Sequence, residues 1–409
     1  MKTPLKIAII GHVDHGKSTL IGRLLLDTNS LPKEKISEIK KISRELGKDA
    51  ELAYLADQLK EEREKNITID TTQIFFKTHK RNYVIIDTPG HVEFIKNMMT
   101  GASLAEAAVL MVDAREGVME QTRRHLFLIN MMGIKNILVG FNKMDLVDYD
   151  EMRFKEIRDE LLKFMTGLGA KPLNVIPISA KEGINISKKS RKMPWYKGTA
   201  FLAALDSLNL AGEARRKPLR FPIQDIYTVD GQDIPVGRIA SGFIREGQSG
   251  VFLPALKEAR VKAIKVFGKH PREASEGENI GLVLEEPLPV ERGEVFTQKE
   301  DLPKITNSIK GYIFWMSETP LVINKTMTLR CATQEVSCHA ERIEKRIDSS
   351  TLEILQENAD TLGLNEVGLV VFKTERPVVA EKFSFAEELG RFVIEQAYNL
   401  QGAGIITDN

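Results

Sequence analysis

The segment Gly11-His12-Val13-Asp14-His15-Gly16-Lys17-Ser18 has the spacing of a phosphate loop: Gly, four residues, then Gly-Lys-Ser. Glycines are needed there so that backbone N–H groups can face phosphate oxygens without Cβ obstruction. A helix must follow, because its N-terminal end adds partial positive charge. Leu20 to Leu26 supplies that helical pattern, and Leu5 to Ile10 supplies an apolar strand before the loop. In such a loop Lys17 reaches the β- and γ-phosphates, and the Ser18 hydroxyl ligates magnesium. Thr19 completes this nucleotide-binding stretch.

Three more segments each follow a strand-like run. Asp87-Thr88-Pro89-Gly90 follows Tyr83 to Ile86. A strand-end carboxylate at Asp87 can hold magnesium through water, and Gly90 leaves room for an N–H to approach the γ-phosphate. Alone this tetrapeptide would read as a Pro-Gly turn, but behind a phosphate loop it reads as a second phosphate contact. In Asn142-Lys143-Met144-Asp145 the carboxylate of Asp145 can accept hydrogen bonds from N1–H and the 2-amino group of guanine. Adenine offers neither donor there, so Asp145 selects GTP over ATP. The Lys143 stem can lie over the base while Asn142 ties this loop to the phosphate loop. In Ser179-Ala180-Lys181 a backbone N–H can meet the guanine 6-oxygen. Four motifs in this order predict a domain that binds and hydrolyses GTP with magnesium.

The elements that must carry these loops alternate. Leu5 to Ile10, Tyr83 to Asp87, Val109 to Asp113, Ile137 to Asn142 and Val175 to Ser179 are short apolar runs, separated by helical patterns such as Gln121 to Met132 and Tyr149 to Met165. Continuous apolar strands between helices imply an α/β domain with a mostly parallel sheet, whose ligands bind at the carboxyl ends of the strands. From about Arg215 short strands alternate with Gly, Pro and Asp turns, first through Gly237 to Ala240, Gly250 to Pro254, Arg260 to Phe267 and Asn279 to Glu285. A second set runs from Lys310 through Thr326 to Cys331, Glu335 to Ile347, Val367 to Thr374 and Arg391 to Glu395. Two such sets predict two β-barrels. Leu210 to Pro218 and Asp301 to Ser308 read as linkers. The expected division is 1–212 for the GTP-binding domain, 213–303 for the second domain and 304–409 for the third.

At 409 residues the chain fits two to four domains, and 42% hydrophobic residues suffice for packed cores, which excludes global disorder. Lysine plus arginine is 58 against 57 aspartate plus glutamate, so a uniformly basic nucleic-acid coat is excluded and a local patch is not. Lys188, Lys189, Arg191, Lys192 and Lys197 form one basic cluster, which reads more readily as a solvated loop. Cys331 and Cys338 cannot build a disulfide framework or a four-thiolate site, and read as half-buried side chains in a reducing compartment. No run approaches membrane-span length and no secretory signal is evident, which predicts a soluble cytoplasmic protein without membrane partners.

These motifs, with Asn66-Ile67-Thr68-Ile69-Asp70 and His91 directly after Gly90, resemble the translation-factor-like GTPases, and the resemblance spans essentially the whole chain. It implies that Thr68 closes onto magnesium and the γ-phosphate, and that the charged insertion Lys33 to Lys65 belongs to a nucleotide-responsive switch. It also implies that His91 orients the attacking water beside an apolar gate of Val13 and Ile67. Lys17, Thr68, Gly90 and His91 are then the catalytic set, and Ser18, Thr68 and Asp87 the magnesium set. Asn66 stands where the family usually has glycine, a departure that bears on the hydrolysis rate.

Two subgroups compete. Asp113 to Gly117, Gln121 to His125, Met193 to Tyr196, Trp315-Met316, Arg346 to Asp348, Leu364 to Gly368 and Gly402 to Ile406 resemble the GTPase (large) subunit of bacterial sulfate adenylyltransferase, ATP sulfurylase. That resemblance implies a small adenylyltransferase subunit as partner, which joins ATP and sulfate while GTP hydrolysis drives the step. His15 and Val92-Glu93-Phe94 resemble a tRNA-delivering elongation factor instead, which implies aminoacyl-tRNA or another RNA as partner. The form of the last barrel favours the sulfurylase subunit.

Overall fold

The computed structural model describes residues 4–30, 72–87, 105–208, 217–229, 231–266 and 270–407. Thr68, Gly90, His91 and the insertion Lys33 to Lys65 lie outside the described residues, as does the side chain of Asp87. The chain divides into two compact units, Met1–Leu210 and Ala211–Asn409.

In the first unit a six-stranded sheet is built from β1 (Leu5–Gly11), β2 (Thr72–Lys77), β3 (Asn82–Asp87), β4 (Ala107–Asp113), β5 (Ile137–Asn142) and β6 (Asn174–Pro177), in the order β2-β3-β1-β4-β5-β6. All neighbours run parallel except β2, which pairs antiparallel with β3. Every residue of β4 and β5 is buried, as expected of strands covered on both faces. The helices α1 (Lys17–Asp27), α2 (Glu120–Met131) and α3 (Glu151–Gly167) supply apolar faces such as Leu20, Ile21, Leu24 and Leu25 of α1.

One local expectation in this unit needs correction. The helix expected from Tyr149 begins at Glu151, because Asp150 caps it by accepting from the N–H groups of Met152 and Arg153. Tyr149 itself has φ 57, outside helical space. Strand β2 carries only the three-residue apolar run Ile74 to Phe76, in which exposed Phe75 separates buried Ile74 and Phe76, an edge-strand alternation rather than the continuous run of a central strand. A short helix, α4 (Phe201–Asp206), fastens this edge: Asp206 accepts from Tyr83 Oη at 2.6 Å and from Thr78 Oγ1 at 2.7 Å.

In the second unit Ser249–Leu253, Lys257–Lys265, Asn279–Leu284, Gln232–Arg238, Arg220–Val229 and Val295–Thr297 close into a barrel in that order. A second sheet follows in the order Thr326–Cys331, Arg391–Gln396, Asn399–Ile406, Lys304–Trp315, Glu366–Ala380, Gln334–Asp348, Ile354–Ala359. The first half of Gln334–Asp348 also pairs with Thr326–Cys331, which closes this barrel and leaves Ile354–Ala359 outside the ring. The expected linker at Asp301 to Ser308 is shorter than the sequence suggested, since the strand begins at Lys304 and carries a bulge between Thr306 and Ser308. Cys331 and Cys338 are fully buried rather than half-buried, because both point into the barrel, and burial pushes each thiol up to about 12.

Arg220 is wholly buried and joins the two barrels. Its guanidinium donates to Glu381 Oε1 from Nε at 2.9 Å and from Nη2 at 2.6 Å, to Thr297 Oγ1 at 2.9 Å, and to the carbonyl and carboxylate of Asp301, each at 2.9 Å. Beside it Val251, Leu253 and Val295 of one barrel pack with Val379 and Leu389 of the other. Burial raises the pKa of Glu381, and Arg220 opposes that rise. Removing the cation therefore strands a buried carboxylate. Arg220→Met is expected to cost about 3–5 kcal/mol in urea unfolding at neutral pH. Because the folded-state pKa of Glu381 is raised, protonation favours the folded form, and part of that loss should return as pH falls toward 5. A loss that is the same at both pH values would show that Glu381 is not the stranded group.

Candidate functional site

The ends of β1, β4 and β5 meet in register, with Gly11 opposite Met111 and Asp113 opposite Asn142. The phosphate loop and the Asn142–Asp145 segment leave the sheet side by side at its carboxyl end. Gly16 caps α1 with φ 85, and a Cβ there would lie 2.3 Å from Asn142 Nδ2. At Gly11 a Cβ would meet the Met111 carbonyl oxygen at 2.6 Å. Both glycines are fixed by close approach, as a phosphate cradle requires. The first turn of α1 holds no acidic residue and no side-chain cap, so its N–H groups keep their positive end for an anion. Lys17 Nζ donates to the carbonyls of Gly11 at 2.7 Å and His12 at 2.8 Å, spanning the loop between its ends. Asp14 holds φ 66, and Val13, expected in an apolar gate, is 69% exposed at the loop tip.

His15 does not face the phosphate side. Its ring is buried, with Nδ1 3.1 Å from the Met111 carbonyl oxygen and Nε2 3.2 Å from Glu116 Oε2. Asn142 does what the sequence suggested and more. Its Nδ2 donates to the His15 carbonyl at 3.0 Å, and its Oδ1 accepts from Ala180 N–H at 2.9 Å. One buried amide thus joins the phosphate loop, the Asp145 loop and the Ser179–Lys181 loop. The Ala180 N–H, a candidate for the guanine 6-oxygen, is engaged by Asn142 as the structure stands. Ser179 is buried and accepts from Glu182 N–H at 3.3 Å, while Lys181 is exposed.

Lys143 has φ 62, and its ammonium lies 2.8 Å from Asp113 Oδ2. Burial acts to raise the Asp113 pKa, but hydrogen bonds from Lys143 and the Arg115 N–H outweigh it and hold this carboxyl below its usual range. Asp145 Oδ1 is buried and has no hydrogen-bond partner among the described residues. A buried orphan acceptor is costly unless a ligand supplies the donor, and the two donors on one edge of guanine fit it. The Ser18 hydroxyl, in the first turn of α1, is the described member of the expected magnesium set. Among the described residues no group of three or more His, Cys, Asp or Glu could by itself hold a metal ion. Asp113 and Glu116, quoted in the sequence only for their resemblance, proved to hold Lys143 and His15; no spacing rule links them.

The fold and its loop are those of a phosphate-loop nucleotide-binding protein with two appended barrels. Residues 2–219 match the family described as elongation factor Tu GTP binding domain, and residues 308–407 match the GTP-eEF1A C-terminal domain-like family. Elongation factor 1-alpha of Thermococcus sibiricus is 40% identical over 99% of this chain and 97% of its own length. That of Sulfolobus acidocaldarius is 39% identical over 100% of this chain and 97% of its own. A structure of Sup35 complexed with GDP covers 100% of this chain and 94% of its own at 23% identity, with a TM-score of 0.46, too low to add to the family match. The chain belongs to the elongation factor Tu and elongation factor 1-alpha family of translation-factor GTPases. GTP, with magnesium, is its cofactor. The relatives named here are not sulfate adenylyltransferase subunits, and nothing in them supports that partner. No helix among the described residues is long and apolar enough to cross a membrane.

Asn142→Ala removes two buried hydrogen bonds at about 1 kcal/mol each, so GDP and GTP affinity should each fall roughly thirtyfold in titration calorimetry. Unchanged affinity would mean the three loops hold their positions without the amide.

Proposed function

We propose that this chain is a GTP-dependent carrier of aminoacyl-tRNA or another RNA, releasing its cargo on GTP hydrolysis. The observation that supports it is identity near 40% to elongation factor 1-alpha along the whole chain, including the final barrel that the sequence alone had tied to sulfate activation. In this reading residues 1–212 bind nucleotide, and 213–303 and 304–409 form the two barrels. The backbone of Gly11 to Gly16 and Lys17 hold the phosphates, with Thr19 next to them. Ser18, Thr68 and Asp87 hold magnesium, which neutralises charge on the phosphate oxygens. Asn142, Lys143, Asp145 and the Ser179-Ala180-Lys181 loop receive the base. Thr68 and Gly90 sense the γ-phosphate, and His91 orients water for attack on it. Loss of the γ-phosphate then changes affinity for the cargo, because only the GTP state engages both residues.

Three measurements test this reading. Asp145→Asn should weaken GTP by at least tenfold and admit xanthosine triphosphate, whose 2-oxygen needs a donor; unchanged base preference would sink the base assignment. His91→Ala should slow hydrolysis by a factor on the order of a hundred while GTP affinity stays within about twofold. If affinity falls with the rate, His91 is structural. The carrier role is tested by capture from the native cell with a non-hydrolysable GTP analogue and then with GDP. Aminoacyl-tRNA or another RNA held in the GTP state alone, with affinity that falls steeply with salt, is expected. Recovery of a small adenylyltransferase subunit without RNA would overturn it.

A further inference from the structure

The basic run from Lys188 to Lys197, comprising Lys188, Lys189, Arg191, Lys192 and Lys197, does not leave every charge unpaired. All five are exposed, but Lys192 is also tied to neighbouring loops of the nucleotide-binding domain. Its ammonium donates to Glu182 Oε2 at 2.6 Å and to Tyr149 Oη at 3.0 Å, and lies 4.9 Å from the centre of the Tyr149 ring. The Tyr149 hydroxyl donates to the same carboxylate oxygen at 2.5 Å. Three residues residing on separate loops thus share one knot.

Both anchors of that knot belong to the base-selecting loops. Tyr149 closes the turn that opens at Met144 and Asp145, its N–H donating to the Met144 carbonyl at 2.8 Å. Glu182 directly follows Ser179-Ala180-Lys181 and donates its N–H to Ser179 Oγ. The Tyr149 end is strained: Asp148 and Tyr149 hold φ 50 and 57, consecutive left-handed conformations with no glycine. Such a turn persists when its surroundings over-determine it. Trp195 Nε1 does so from the other side, donating to the Tyr149 carbonyl at 3.0 Å while its ring sits 5.1 Å from that of Phe154 on α3. Lys192 holds the Glu182 carboxyl below its usual range, with the Tyr149 hydroxyl adding to the effect.

We propose that Lys192, Tyr149 and Glu182 clamp the two base-selecting loops together, and that Lys192 is a positioning residue that sets how strictly Asp145 discriminates guanine. The proposal rests on the reading of Asp145 as the guanine acceptor. The clamp lies on the base side of the site and not on the phosphate loop. Releasing it lets the Asp145 loop relax away from the 2-amino group while the contacts of Gly11 to Ser18 with phosphate stay in place.

The test compares GDP with inosine diphosphate, which lacks that amino group, on the full chain by calorimetry, with thermal midpoints recorded in parallel. Wild type should prefer GDP. Lys192→Met should lower the GDP to inosine diphosphate affinity ratio roughly threefold, the scale of a partly exposed ion pair, and leave the GDP to GTP ratio unchanged. Lys192→Arg, which keeps the charge and its donors, should restore most of the discrimination. An unchanged ratio in Lys192→Met, or equal loss for both nucleotides together with a lower thermal midpoint, would overturn the clamp. A wild type that does not prefer GDP would overturn the reading of Asp145 itself, and the clamp with it.

Discussion

The nucleotide-binding domain depends on one buried carboxamide. Asn142 donates to the phosphate loop at His15 and accepts from the base loop at Ala180. Those are opposite demands, and an amide side chain meets both with the two ends of one rigid plane. A carboxylate could not donate, and an ammonium could not accept. Gly16 is constrained by the same group, since a Cβ there would collide with the Asn142 nitrogen. The phosphate loop and the base loops are therefore set relative to each other by one side chain, at the point where β5 leaves the sheet.

Around that centre, ionic groups hold loops and are themselves held. Asp113 anchors Lys143, Glu116 anchors His15, and Glu182 anchors Lys192. Between the barrels Arg220 does the same for Glu381 and Asp301. The near equality of 58 basic and 57 acidic residues is thus more than a statement about solubility. Much of the charge forms local pairs, and the outer faces of the second barrel follow this pattern, with Arg346 on Glu366, Lys310 on Glu344 and Arg330 on Glu395.

The parts of this molecule legible in the sequence are those governed by local rules. The phosphate loop is fixed by glycine spacing, the central strands by continuous apolar runs, and the role of Asn142 by its place between strand end and Asp145. What the sequence hid is held by distant partners. Arg220 is 161 residues from Glu381 and reads as an ordinary charge near a linker, yet it is the most deeply buried cation described. Lys192 is exposed, as a solvated run implies, but its tie to Tyr149 spans 43 residues and leaves no mark in the local sequence. Strand β2 lacks the long apolar run of its neighbours because an edge strand needs only one apolar face. The helix starts two residues after Tyr149 because the left-handed pair Asp148 and Tyr149 interrupts a periodicity that composition alone would continue.

The same distinction explains why the last barrel pointed toward sulfate activation. Trp315 donates through Nε1 to the Thr319 carbonyl, and Gly402 is small because a Cβ there would lie 2.8 Å from the Trp315 ring. Arg346 grips Glu366 with two parallel hydrogen bonds, and Asp348 caps the turn that follows by accepting from Ser350 and Thr351. In the first domain, Asp113 serves Lys143 and Trp195 serves Tyr149. These motifs are therefore internal fastenings of a barrel and of a nucleotide pocket. A fastening of this kind serves the fold of this chain, so likeness at such positions does not by itself identify a partner. A partner is recognised by exposed groups, and whole-length identity weighs buried and exposed positions together. Identity that runs from end to end therefore carries more about function than likeness at a few fastenings.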